Sequence, residues 1–235
     1  MRLDKFVAGA LQLPRSAARA MIARGRVSVE GQVCKKADRA LAGGETVCAD
    51  GKPLQCEEYV YIMLHKPAGV VSASTDGRDT TVVDLLGGAY PRRQLFPAGR
   101  LDKTSTGFVL LTDDGAFAHD LLAPRRHVPK TYFVTLDTPV TPAMVQAFAA
   151  GVALADGQVM QPAGLTPCPQ DPFSATVVLR QGVYHQIKRM FGQLGAGVNG
   201  LHRTAIGALA LDPGLAPGQW RPITPAERQL LQNGR

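Results

Sequence analysis

The first 36 residues carry eight lysines and arginines against only Asp4 and Glu30, which places +6 of the chain's formal net charge of +7 in its opening stretch. Charged side chains are almost never fully buried unless paired. This segment must therefore keep a solvated face and can offer only a narrow apolar one to a core. Leu3, Phe6, Val7, Ala10 and Leu11 recur at helical spacing. Ser16 fits the N-cap of a second short helix running through Met21 and Ile22, with Arg15, Arg19, Arg24 and Arg26 along its exposed side. Val27-Ser28-Val29, a turn at Glu30-Gly31 and then Val33-Cys34 read as a small hairpin. The pattern predicts a compact helix, helix and strand unit with its cations converging on one surface. Polar residues from Ala49 to Glu58, broken by Gly51 and Pro53, read as an exposed link, and the domain boundary is expected near residue 58.

The remaining residues are close to neutral, with local basic clusters at Arg92-Arg93, at Arg125-Arg126-His127 with Lys130, and at Lys188-Arg189. Strand-like runs at 59–64, 108–112, 131–136 and 175–179 alternate with helical candidates at 116–122, 142–150 and 185–194. The alternation is too irregular for repeated crossover units, so the expected class is α+β. Two domains follow, 1–58 and 59–235. The glycine patterns of dinucleotide and P-loop sites and the nucleophile elbow of hydrolases are absent. Cys34, Cys48, Cys56 and Cys168 form no C-x-x-C pair and have no histidines at zinc-ligand spacing, so neither a disulfide nor a metal is expected. No apolar window has the length of a membrane span, MRLDKF lacks a signal-peptide core, and the expected location is cytoplasmic. The positive charge favours a polyanionic partner.

One carboxylate lacks a local explanation. In GRLDKTSTGFVLLTDDG, residues 99–115, the Asp113-Asp114-Gly115 turn closes a buried strand, whereas Asp102 stands between Arg100 and Lys103 ahead of Thr104-Ser105-Thr106. Two readings compete at this point, a surface ion pair and a carboxylate kept ionised by nearby donors for chemistry.

Six ordered blocks decide between them. MRLDKF with PRSAARAMIARGRVSVEGQ, YIMLHKPAGVVSASTD, PAGRLDKTSTGFVLLTDDG, PKTYFVTL, GVYHQIKRMFGQLG and LHRTAIGALALD together resemble the RsuA-type bacterial ribosomal RNA pseudouridine synthases over essentially the whole length. The resemblance implies a small N-terminal αL-motif RNA-binding domain and a catalytic domain built on a mixed, largely antiparallel sheet flanked by helices. It implies that Asp102 is the essential aspartate and that Arg100 fills the space left by an extruded base. It implies that Tyr132 stacks on the target uracil, that Lys188 pairs with Asp102, with Arg189 the weaker candidate, and that Ile187 lines the uracil pocket. Arg2, Lys5, Arg15, Arg19, Arg24 and Arg26 are the implied RNA contacts, while His185 and Gln186 are read as structural. Gly182-Val183-Tyr184-His185 departs from the family's usual Gly-Arg-Tyr-His, which implies one backbone contact to RNA fewer and a change in local affinity, with the chemistry untouched.

The implied reaction is isomerisation of uridine to pseudouridine in 16S ribosomal RNA, by a monomer, without a cofactor or metal, on ribosomal RNA or a pre-ribosomal particle and away from any membrane. Sister enzymes acting on 23S ribosomal RNA share the same catalytic blocks; MRLDKF and the short tail after Ile223 favour the small-subunit target. A non-catalytic RNA-binding assembly protein would use the basic unit alone, but it has no need of a carboxylate flanked by cations, which weakens phosphate contact.

Overall fold

The computed structural model describes residues 1–54, 58–123 and 128–232. The basic triplet at 125–127, Cys56 and the end of the tail lie outside them. The chain divides into two compact units, Met1–Tyr59 and Val60–Arg235.

In the first unit, α1 (Leu3–Ala10) and α2 (Arg15–Ala23) precede β1 (Val27–Val29), β2 (Gln32–Val33), β3 (Val47–Ala49) and β4 (Lys52–Pro53). Helical spacing turns Leu3 and Val7 inward, where they meet Ala18, Ile22, Val27, Val29 and Val47 in one core. The four strands form an antiparallel sheet in the order β2-β1-β3-β4. Ser16 does not cap α2. Pro14 takes the N-cap with φ −56° and ψ 144°, and the helix begins at Arg15. A proline there is preset for the turn and lacks an N–H that would otherwise need a partner.

The second unit contains β5 (Tyr61–Lys66), β6 (Phe96–Pro97), β7 (Thr106–Thr112), α3 (Gly115–Leu122), β8 (Lys130–Leu136), α4 (Pro142–Ala150), β9 (Gly164–Cys168), β10 (Asp171–Leu179), α5 (Gln186–Gln193), β11 (Val198–Ile206), β12 (Leu209–Ala210), β13 (Trp220–Pro222) and α6 (Pro225–Gln232). The sheet runs β13-β5-β7-β11-β8-β10-β9, with β6 beside β7 and β12 beside β11. Among the strands described, β7 and β11 pair in parallel and the other strand pairings are antiparallel. The α+β expectation holds, and the sheet is mixed and largely antiparallel.

Alternation explains why β5 and β7 read as unbroken apolar runs. Met63, Phe108 and Leu110 enter one core, whereas Ile62, Leu64, Val109 and Leu111 enter another on the opposite face, so neither strand has a solvated side. A third core lies where Phe148 of α4 and Phe191 of α5 cover Val134, Ala175 and Val177. Strand β5 lies two residues later than the sequence run suggests, because its register against β7 extends from Tyr61↔Thr112 to Lys66↔Gly107. Asp114 caps α3 by accepting from the Phe117 amide at 2.9 Å.

Candidate active site and basic surface

Asp102 lies on the loop between β6 and β7. Its carboxylate takes a different partner on each oxygen: Lys188 Nζ stands 3.1 Å from Oδ2 and His185 Nε2 stands 3.3 Å from Oδ1. Neither partner is a sequence neighbour. Lys103 turns away to Asp79, at 2.7 Å, and the local ion pair with Arg100 and Lys103 that the sequence allowed is not formed. His185, read as structural, is a direct partner of Asp102. It was missed because its placement depends on a left-handed backbone, φ 50° and ψ 31°, at the N-cap of α5, and nothing in the sequence signals that conformation. His185 and Lys188 are three apart, on one face of the first helical turn.

The loop is braced from both sides by buried cations. After Asp102, Lys66 Nζ donates to the carbonyls of Pro67 (3.1 Å), Lys103 (3.3 Å) and Ser105 (2.6 Å). An ammonium has three hydrogens, and three acceptors meet them. Before Asp102, Arg203 Nη2 donates to the Gly99 carbonyl at 3.1 Å, while its Nε reaches Phe108 O at 2.7 Å. In the middle, Ser72 Oγ donates to Leu101 O and accepts from Leu101 N at 2.9 and 3.0 Å. The backbone on either side of Asp102 is thus pinned, while the carboxylate side chain keeps 28% of its surface open to solvent. Burial lowers the Lys66 pKa to about 8; attraction to Asp102 partly opposes that shift and the Arg203 charge adds to it. Burial pushes Lys130, where β8 begins, to about 8 as well.

The other expected site residues fall as follows. Arg100 is exposed, two residues before Asp102. Tyr132 on β8 is half-buried and stands opposite Arg203 of β11, the arginine that holds the Asp102 loop. Ile187 is buried in the core with Met190 and Phe191. Arg189 pairs with Asp156 and Gln158 instead of Asp102. Gln186 accepts from the Val183 amide at 3.2 Å and so supports the start of α5.

In the N-terminal unit, the buried Asp4 gathers three arginines: Arg2 at 3.1 Å, Arg15 at 2.9 Å and Arg19 at 2.9 Å, each about half exposed. Burial alone would raise the Asp4 carboxyl, but hydrogen bonds from Arg15, Arg19 and Arg2 outweigh it and hold the group far below the usual carboxylate range. Each guanidinium has five N–H donors and spends only one or two on Asp4. The remaining donors form a fixed cationic cluster suited to a phosphate. Lys5 and Arg24 are exposed, whereas Arg26 is engaged by Asp50.

Comparison with known proteins gives concordant matches. Residues 60–193 match the RNA pseudouridylate synthase family and residues 1–47 match the S4 domain. An uncharacterized RNA pseudouridine synthase of Bacillus subtilis is 39% identical, with 98% of each chain covered. Ribosomal small subunit pseudouridine synthase A of Escherichia coli is 41% identical over 97% of this chain and 98% of its own. A crystal structure of a pseudouridylate synthase superposes with a TM-score of 0.68 at 36% identity, covering 98% of this chain and 99% of that one.

Proposed function

Because the chain belongs to the RNA pseudouridylate synthase family, we propose that it isomerises uridine in small-subunit ribosomal RNA, with Asp102 as the catalytic carboxylate. The observation that carries the assignment to Asp102 is its setting: a solvent-reachable carboxylate on a doubly braced loop, with Lys188 and His185 each holding one oxygen. The small-subunit target rests on the relatives that bear that name and match over nearly the whole chain.

The reaction breaks the N1–C1′ bond of uridine, turns the uracil while it stays bound, and joins C5 to C1′. One proton leaves C5 and one is gained at N1, with no net oxidation, so the balance needs no redox partner. A single carboxylate serves as nucleophile or proton acceptor. Lys188 compensates the charge of that carboxylate, and Lys188 and His185 together keep it aimed. A uridine within a stem must leave the stack to reach it. Arg100, exposed beside Asp102, supplies a planar guanidinium to occupy the gap, and Tyr132 supplies a ring for the extruded base. Arg2, Arg15 and Arg19 take phosphates of the same RNA.

The test is pseudouridine mapping in 16S and 23S ribosomal RNA after incubation with the purified protein, beside Asp102→Asn. The wild type is expected to modify 16S RNA alone. Asp102→Asn, nearly isosteric, is expected to lose turnover while its RNA affinity changes by less than roughly tenfold, about 1.4 kcal/mol. Modification of 23S RNA alone reassigns the target, and turnover by the variant removes Asp102 from the chemistry.

A further inference from the structure

Tyr184 is 76% exposed, and no other large apolar or aromatic side chain among the described residues is as open to solvent. Its ring nevertheless has a fixed neighbour. The Tyr184 and His185 rings stack with centroids 3.8 Å apart and planes inclined by 17°. Consecutive side chains ordinarily diverge, and this pair meets because His185 adopts φ 50°. A non-glycine residue held in that region marks a conformation imposed by its surroundings, and such positions cluster at functional sites. The same His185 ring reaches Asp102 Oδ1 at 3.3 Å. A single strained residue therefore ties the carboxylate to an aromatic face pointed at water.

The arrangement adds little to the fold, since the outer face of Tyr184 covers no core. It does suit a flat partner arriving from solvent: one face of the ring is backed by His185, and the other is free to stack. We propose that the outer face of Tyr184 receives an RNA base flanking the target uridine, so that the Tyr184–His185 pair sets the incoming strand in register with Asp102. This rests on the isomerase reading above. Because every base offers a π-face, the contact favours a stacked neighbour without selecting its identity. It is a separate position from Tyr132, which lies within the sheet.

The experiment uses the full-length protein and whichever ribosomal RNA the wild type modifies. Tyr184→Ala is expected to lower kcat/KM roughly tenfold, about 1.4 kcal/mol, chiefly through a higher KM. Tyr184→Phe is expected to restore it, since stacking needs the ring and not the hydroxyl. RNAs carrying one abasic nucleotide, scanned across positions flanking the target, locate the partner: at one position the wild type should fall to the level of Tyr184→Ala and the two become equal. A wild-type KM in Tyr184→Ala, failure of phenylalanine to restore, or a difference between wild type and Tyr184→Ala that persists across every abasic RNA overturns the proposal. If the wild type forms no pseudouridine in either ribosomal RNA, the isomerase reading falls, and this inference with it.

Discussion

Lys66 holds an ammonium with no exposed surface, and its three acceptors are backbone carbonyls of its own turn and of the segment just after Asp102. Its contribution to function is therefore geometric. Lys66→Met keeps the aliphatic stem and removes the three donors, which frees the loop carbonyls at Lys103 and Ser105. Misplacement of a reacting group by about 1 Å costs on the order of 100-fold in rate, and a kcat loss of that order is expected. The same variant has a signature in stability against pH. The folded pKa of about 8 lies below the ordinary value of 10.5, so in the interval between them the unfolded chain binds the proton and the folded one does not. Stability linked to Lys66 therefore rises with pH from about 8 toward 10.5. Lys130, also near 8, adds to the rise, while Tyr61, pushed up to about 12 by burial and its bond to Asp114, reverses the trend only above its usual 10. Chemical denaturation at stepped pH between 8 and 10 should show a shallower rise in Lys66→Met; an unchanged slope together with unchanged kcat would remove Lys66 from this role.

At the scale of elements, the tightest constraint is the parallel pairing of β7 with β11, where Gly107 stands opposite Arg203. Gly107 has φ 104°, and a Cβ placed there would come 2.3 Å from the Arg203 carbonyl oxygen and 2.6 Å from its nitrogen. Backbone cannot yield as a side-chain tip can. Gly107→Ala combines an unfavourable φ with overpacking and is expected to destabilise by about 3 kcal/mol or more, a Tm drop of roughly 6 to 12 °C in a unit of this size. A calorimetric melt within about 1 kcal/mol of wild type would falsify the close approach. This junction also shows what the sequence did and did not disclose. Strand β7 is legible because both of its faces are buried, which leaves an uninterrupted apolar run; α4 is legible from Thr141 and Pro142 at its start and Gly151 at its end. Strand β11, VNGLHRTAI, does not read as a strand from its sequence, because Arg203 and His202 interrupt the pattern and its residues alternate only weakly between buried and exposed. The charge that obscured the strand is the one that grips the Asp102 loop. Asp102 stands out against its neighbours in sequence, but the partners of its carboxylate come from residues more than 80 positions away, and local reading supplies no such distances. Lys188 was reached through family resemblance, and His185 through neither route.

At the scale of the whole molecule, each unit closes its own core: Leu3, Val7, Ile22 and Val47 in Met1–Tyr59, and the three clusters around the nine-stranded sheet in Val60–Arg235. Charge is divided differently from apolar area, with +6 of +7 in the first 36 residues. We propose that the two divisions correspond to two tasks, RNA affinity in residues 1–58 and chemistry in 59–235. Asp4 makes the first task specific, because one buried carboxylate fixes three guanidiniums that would otherwise repel and disperse. If each of these arginines neutralises one phosphate, the logarithm of affinity loses roughly 0.7 to 0.9 per arginine for each tenfold rise in salt, and the unit accounts for a slope of roughly 2 to 3. Removing residues 1–58 should flatten the salt dependence by that amount and sharply reduce turnover on full ribosomal RNA. The core of the remaining unit is self-contained, so the fragment should keep a cooperative melt. Affinity and uridine isomerisation measured across a salt series, for the intact protein and for a fragment first verified as folded, separate the alternatives. A folded fragment that retains both the full slope and full activity would show that the phosphates are held by the catalytic unit, and the Asp4 cluster would then be a structural device of the small domain alone.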